Sequence, residues 1–194
     1  MRGLLFLGFV ASLGHTPAAQ KKPVVAVVVI GDVPRSTIEP LAPVLRETFD
    51  AEIVVAPDLV LPAAAWNASR RQWSSTKILD ALASAKRPEW ERLLGIVDAD
   101  LYVPDLNFVF GEADPRRGVA VFSLARLRAG ADAALLSRRA ATEAVHELGH
   151  TYGLSHCEKP TCVMWFSNTL SESDGKGTRF CPEHERELEE NRGR

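Results

Sequence analysis

The sequence predicts a single mixed α/β (α+β) domain, on three observations. Strands and helices alternate through its first half, one strand is apolar on both faces, and a long helix stands late in the chain. At 194 residues with ordinary apolar content, the chain can bury one core and has little left for a second. Its formal net charge is −2, and the basic pairs Arg70/Arg71, Arg116/Arg117 and Arg138/Arg139 are scattered among acidic residues. No basic stripe forms, so a nucleic-acid partner is not expected.

The elements follow in order. Met1 and Arg2 give a positive start, residues 3–14 are a compact apolar run, and residues 16–20 are small and polar, which is the shape of a secretory signal peptide over residues 1–19. The run is shorter than the ~20 residues of a spanning helix, so no stable membrane span is expected. Ala18 and Ala19 suit cleavage and Pro17 does not, leaving an uncleaved anchor or a mis-assigned start as alternatives. Export to the periplasm or the exterior follows if the signal is real, and a cytoplasmic protein otherwise.

Residues 20–194 then form the domain. Val24 to Ile30 is a continuous β-branched run between Pro23 and Gly31, read as a strand buried on both faces. Residues 37–49 have helical spacing, 52–56 read as a second strand, and 57–65 as a proline-punctuated connection. Residues 73–85 place Ile78, Leu79 and Leu82 on one helical face. Further strands are expected at 93–97, 108–110 and 119–124, with Gly111 and residues 115–118 as turns. Ser137 can cap a helix running to about Tyr152, where Gly153 supplies a left-handed terminator. A short cysteine-bearing lobe follows, ending in a charged helix from Pro182 to Asn191.

The late helix carries the chemistry. It reads His146-Glu147-Leu-Gly-His150-Thr-Tyr-Gly153-Leu-Ser-His156. At 3.6 residues per turn His146 and His150 share one face, and Gly153 lets the chain turn back so that His156 reaches the same ion. Three nitrogens leave a position open for water, the mark of a catalytic rather than a structural zinc. Glu147, next to the first ligand, is placed to act on that water as general base. A bare His-Glu-x-x-His arises by chance in about one chain in a hundred, and the added Gly and third His lower this by a further factor of about a thousand.

Cys157, Cys162 and Cys181, with His184 three residues past the last, suit a second, structural zinc. A disulfide plus a spare thiol is the alternative, which export would favour and the odd cysteine count opposes. Metal binding would brace a lobe with few apolar residues of its own. Two zinc ions per chain are therefore expected, with a peptide or protein as substrate and a monomer as the unit. A zinc-stabilised peptide-binding module with little turnover is the competing reading.

These residues resemble the archaemetzincins. The match runs through His146-Glu147-x-x-His150-x-x-Gly153-x-x-His156-Cys157-x4-Cys162-x-Met164 and on to Cys181. It extends to Arg71-Gln72-Trp73-x-Ser75-Thr76, Asp100-Leu101-Tyr102-Val103-Pro104, Leu106-Asn107-Phe108-Val109-Phe110-Gly111-Glu112-Ala113 and Cys162-Val163-Met164-x-Phe166-Ser167-Asn168. The resemblance implies a metzincin-like fold: a mixed twisted β-sheet with a backing helix and an active-site helix, and a small zinc-braced C-terminal lobe. It also implies a catalytic zinc on three histidines, a second zinc nearby, and a methionine turn at Met164. Met164 would otherwise read as a core residue, and the two roles are compatible. His184 departs from the family's usual fourth cysteine, and the signal-like start is unusual for it. Residues 107–110 are a candidate edge for an extended peptide, or plain sheet core.

Overall fold

The computed structural model describes residues 22–192. The segment read as a signal peptide, residues 1–19, lies outside the described residues. In chain order the elements are β1 (Val24–Ile30), α1 (Leu41–Phe49), β2 (Glu52–Val55), β3 (Trp66–Asn67), β4 (Gln72–Ser74), α2 (Ser75–Ala85), β5 (Arg92–Val97), β6 (Leu101–Tyr102), β7 (Gly111–Asp114), β8 (Val119–Ser123), α3 (Ala133–Thr151), α4 (Leu170–Gly175) and α5 (Pro182–Asn191).

The main sheet has the order β2-β1-β5-β8-β7. All neighbours are parallel except β7, which runs antiparallel to β8 with Gly111 opposite Phe122. Helices cover both faces, which is why β1 carries no polar residue. Val25, Val27 and Val29 pack with α1, α3 and the C-terminal lobe, while Ala26, Val28 and Ile30 pack with α2. A second, three-stranded sheet of β3, β4 and β6 stands beside this sandwich. No helix among the described residues is long and apolar enough to cross a membrane.

Several boundaries differ from the sequence expectation, each for a local reason. The first helix starts at Leu41 rather than residue 37, because Pro40 holds the N-cap position and a separate 3-10 turn spans Arg35–Thr37. The second starts at Ser75: Trp73 lies in β4, and the Ser74 side chain caps the helix by accepting from the Lys77 N–H. The long helix is capped by Asp132, whose carboxylate accepts from the Leu135 N–H, and Ser137 sits inside its first turns. Residues 108–110 are not a ladder strand. They make one isolated antiparallel bridge, Leu101 to Val109, and the edge strand begins at Gly111, where the sequence predicts a turn.

The C-terminal lobe is also less independent than its composition suggests. Val163, Met164, Phe180 and Leu188 belong to the same buried cluster as Phe49, Val145 and Leu148. Phe49 stacks on Tyr152 at 5.4 Å between ring centroids and meets Phe180 edge-on at 5.9 Å. Apolar burial therefore shares the bracing of the lobe with whatever its cysteines hold.

Candidate active site and metal centres

α3 is buried along most of its length and delivers His146, Glu147 and His150 to the floor of a cleft beside β7. After the helix, Gly153 takes φ 84°, a left-handed conformation open to glycine without a Cβ clash, and His156 returns to the other two histidines. One ring nitrogen from each of the three lies within 4.8 Å of the others.

Their orientation is fixed from behind. His146 Nδ1 faces the Val163 carbonyl and His150 Nδ1 the Leu154 carbonyl, both at 2.8 Å, so each Nδ1 carries the proton and donates it. The two Nε2 lone pairs then confront one another at 3.1 Å. Bare, that contact is repulsive; a shared cation bonded at about 2.0–2.1 Å to each nitrogen removes the repulsion. Burial pushes His146 well below the usual histidine range, with the charges of Lys176 and His150 adding to it. Burial likewise takes His150 down to about 4 and lowers His156, so at neutral pH all three rings are uncharged. The donor set fits zinc.

Glu147 is buried beside this trio. Burial raises its carboxyl well above the ordinary range, Glu143 and Glu112 push the same way, and Lys176 opposes them. Its space is made by β7: a Cβ on Gly111 would stand 2.5 Å from Glu147 Oε1. Phe166 packs against His156, with ring centroids 4.8 Å apart.

The cleft encloses about 430 Å³. One wall is residues 106–110, and two segments of family resemblance, those of Gln72 and Asp100, brace it. Arg70 donates to the carbonyls of Leu106 and Asn107, and Gln72 to that of Asn107 and to Asp100. Arg126 makes two bonds to Asp100, at 2.6 and 2.8 Å, and lies 4.0 Å over the Phe108 ring. Phe166, Ser167 and Asn168, in a further segment of family resemblance, also line the cleft, as do Glu143 and Lys176, which the sequence did not point out. Glu143 was open to inference, standing on the helix face of His146 and Glu147 one turn earlier.

The second cluster also assembles. The ligand atoms of Cys157, Cys162, Cys181 and His184 lie within 4.8 Å of one another, all four residues are buried, and the cysteines are free. Cys157 Sγ and Cys181 Sγ are 4.0 Å apart, and His184 Nδ1 is 3.3 Å from Cys181 Sγ and 3.9 Å from Cys162 Sγ. Burial resists ionisation of the Cys181 thiol, but hydrogen bonding with the His184 backbone and side chain brings it down to about 6, while burial drives Cys162 up to about 11. His184 Nε2 donates to the Ser155 carbonyl at 3.1 Å, leaving Nδ1 for an ion. Met164 is fully buried under α3, where a Cβ on Gly149 would come within 2.7 Å of its sulfur.

A trio of neutral imidazoles with a buried carboxylate, at the foot of an open cleft, is the equipment of a metal-dependent hydrolase, and comparison with known proteins makes the class zinc metallopeptidase. Residues 51–190 match peptidase family M54. The archaemetzincin of Archaeoglobus fulgidus is 44% identical over 147 residues, 76% of this chain and 88% of its own. The solved archaemetzincin of Methanopyrus kandleri superposes with a TM-score of 0.82 at 35% identity, covering 92% of this chain and all of its own. A solved zinc-dependent peptidase from Methanocorpusculum labreanum superposes at 0.77 with 28% identity, covering 84% and 99%. The chain belongs to the archaemetzincin family, peptidase family M54.

Proposed function

We propose that this protein hydrolyses peptide bonds with one zinc held by His146, His150 and His156, Glu147 as general base, and a second zinc held by Cys157, Cys162, Cys181 and His184. The observation that carries the reading is the pair of Nε2 lone pairs 3.1 Å apart, each fixed by a backbone carbonyl behind it, with the Glu147 carboxylate buried alongside. Bound there, zinc supplies a Lewis acid that polarises a carbonyl and acidifies water to a pKa of about 7. The protein supplies the rest. Carbonyls of Val163 and Leu154 hold two rings in one tautomer, and Phe166 backs the third. Glu147 takes a proton from the attacking water and can return it to the leaving amine. An extended peptide would lie along residues 106–110 toward the edge strand β7, its side chains against Leu106 and Phe108.

Glu147→Gln in purified, zinc-loaded protein should lower kcat on a peptide library by at least about 100-fold with zinc content unchanged. Full turnover in that variant would reject Glu147 as the base.

A further inference from the structure

The cleft continues past the histidines, one turn back along α3, to a buried ion pair. Lys176 Nζ lies 3.0 Å from Glu143 Oε1, with the two side chains 1% and 3% exposed. Ser173 donates to the same oxygen at 3.0 Å. Both Glu143 and Lys176 line the cavity that holds His146 and Glu147.

The pair cannot swing away, because α4 is fastened to α3 just before it. Arg139 reaches the two Asp174 oxygens at 2.7 and 2.6 Å and donates to the carbonyls of Leu127 and Ala129. Burying an ion pair costs several kcal/mol of desolvation per ion, and apolar side chains of the same volume often serve a fold as well. A pair kept at such a cost in the wall of a substrate cleft that Phe108, Val109 and Phe110 also line is suited to reading a ligand.

What it can read follows from its free groups. Among the described residues Lys176 spends one of three ammonium hydrogens, on Glu143, and Glu143 Oε1 takes both the lysine and Ser173. Two donors and the Oε2 acceptor remain. We propose that Glu143 and Lys176 form a subsite for a carboxamide side chain, glutamine or asparagine, on a residue next to the scissile bond; the assignment rests on the peptidase reading above.

A carboxamide gives its oxygen to Lys176 and its N–H to Glu143, and being neutral it preserves the balance of the pair. A carboxylate guest would meet Glu143, Glu147 and Glu112 around one ammonium, and a cationic guest would meet Lys176. An aliphatic guest would strip water from two donors and an acceptor and replace none of those bonds. Glu143 stands one turn, about 5–6 Å, from Glu147, within reach of a side chain of glutamine length.

The test uses three peptides that differ at one position flanking the cleaved bond, carrying Gln, Met or Glu. With the zinc-loaded parent, kcat/KM for Gln should exceed that for Met and for Glu by about 10- to 100-fold, the worth of hydrogen bonds to charged groups. In Glu143→Leu/Lys176→Met the order of Gln and Met should invert. The same three peptides are titrated onto Glu147→Gln protein by fluorescence anisotropy, where Gln should again bind at least 10-fold tighter. Equal or better use of Met or Glu by the parent overturns the subsite, whether or not the double variant folds. If the parent cleaves none of them while the binding order holds, the peptidase reading falls and the subsite stands.

Discussion

Gly111 and Glu147 are fitted to one another: the first residue of the edge strand has no side chain where the carboxylate of the catalytic motif lies, and a Cβ there would come within 2.5 Å of Oε1 and 2.6 Å of Cδ. The contact joins β7 to α3, so the position of the Glu147 carboxylate is set by the sheet as well as by its own helix. Gly111→Ala should therefore displace Glu147 by about an ångström, and displacement on that scale costs about 100-fold in rate. Zinc content should not change, because the three histidines are held elsewhere. Steady-state kinetics with elemental analysis checks this, and a Gly111→Ala protein with parental kcat would show that Glu147 is not confined from this side.

The contrast between β1 and Gly111 shows what the sequence could disclose. Seven apolar residues in a row admit only a strand covered on both faces, and the helices on each side meet that demand. The His-Glu-x-x-His spacing was equally readable, since His146, Glu147 and His150 lie on one regular element. Gly111 looked like a turn because the need for an absent side chain is visible only once Glu147 is placed opposite. The expected strand over residues 108–110 failed for a related reason: its aromatic content suits a strand, yet Val109 makes a single bridge, to Leu101, and the carbonyls of Leu106 and Asn107 just before it are taken by Arg70 and Gln72. Lys176 gave no local signal at all. Its partner is 33 residues away in sequence, and α4 brings the two together through Arg139 and Asp174.

Gly149 has a similar relation to Met164. A Cβ on Gly149 would be 2.7 Å from the sulfur and 3.2 Å from the Phe180 ring, both in the buried cluster. Alanine favours a helix over glycine by about 1 kcal/mol, whereas overpacking a core costs about 1–3 kcal/mol. The overpacking should win, and Gly149→Ala should lose up to about 2 kcal/mol in urea denaturation. In a Met164→Ala background, where the sulfur is gone, the same substitution should turn neutral or stabilising. Equal effects in the two backgrounds would mean that Met164 does not fill the space under the helix.

The histidine trio also predicts how the chelated protein responds to acid. His146, His150 and His156 have pKa values below the ordinary 6.5, His150 at about 4, so between these pH values the unfolded chain binds more protons than the folded one. Stability is then present above about 6.5 and lost as pH falls toward 4. Glu147 works the other way, because its raised carboxyl takes up a proton more readily when folded, but it is one group against three. The Tm of metal-free protein should fall between pH 7 and pH 4. Removing the trio with three His→Gln substitutions should flatten that slope, and an unchanged slope would mean that the histidines are not buried neutral.

His184 ties the two clusters of candidate metal ligands together by more than their adjacency in sequence. Its Nδ1 faces the sulfurs of Cys181 and Cys162, while its Nε2 donates to the carbonyl of Ser155, the residue before His156. Cys157 follows His156 directly, so the segment that places the third histidine is held on one side by the cysteine cluster and on the other by this imidazole. A cysteine at position 184 would supply a thiolate in place of Nδ1 but could not reach Ser155. The two functions of His184 can therefore be separated. His184→Ala should release the second zinc, lower Tm and weaken retention of the first, by less than a lobe without its own core would suffer, because Val163, Met164 and Phe180 remain packed. His184→Cys should restore two zinc ions per chain and most of the Tm, yet retain the catalytic ion less tightly than the parent in a chelator competition, since Ser155 has lost its brace. Zinc content, Tm and chelator competition for the three proteins decide the matter. If His184→Ala equals the parent in all three, the imidazole is not a ligand and the second site has only three; if His184→Cys holds the catalytic zinc as tightly as the parent, the bond to Ser155 does not position His156.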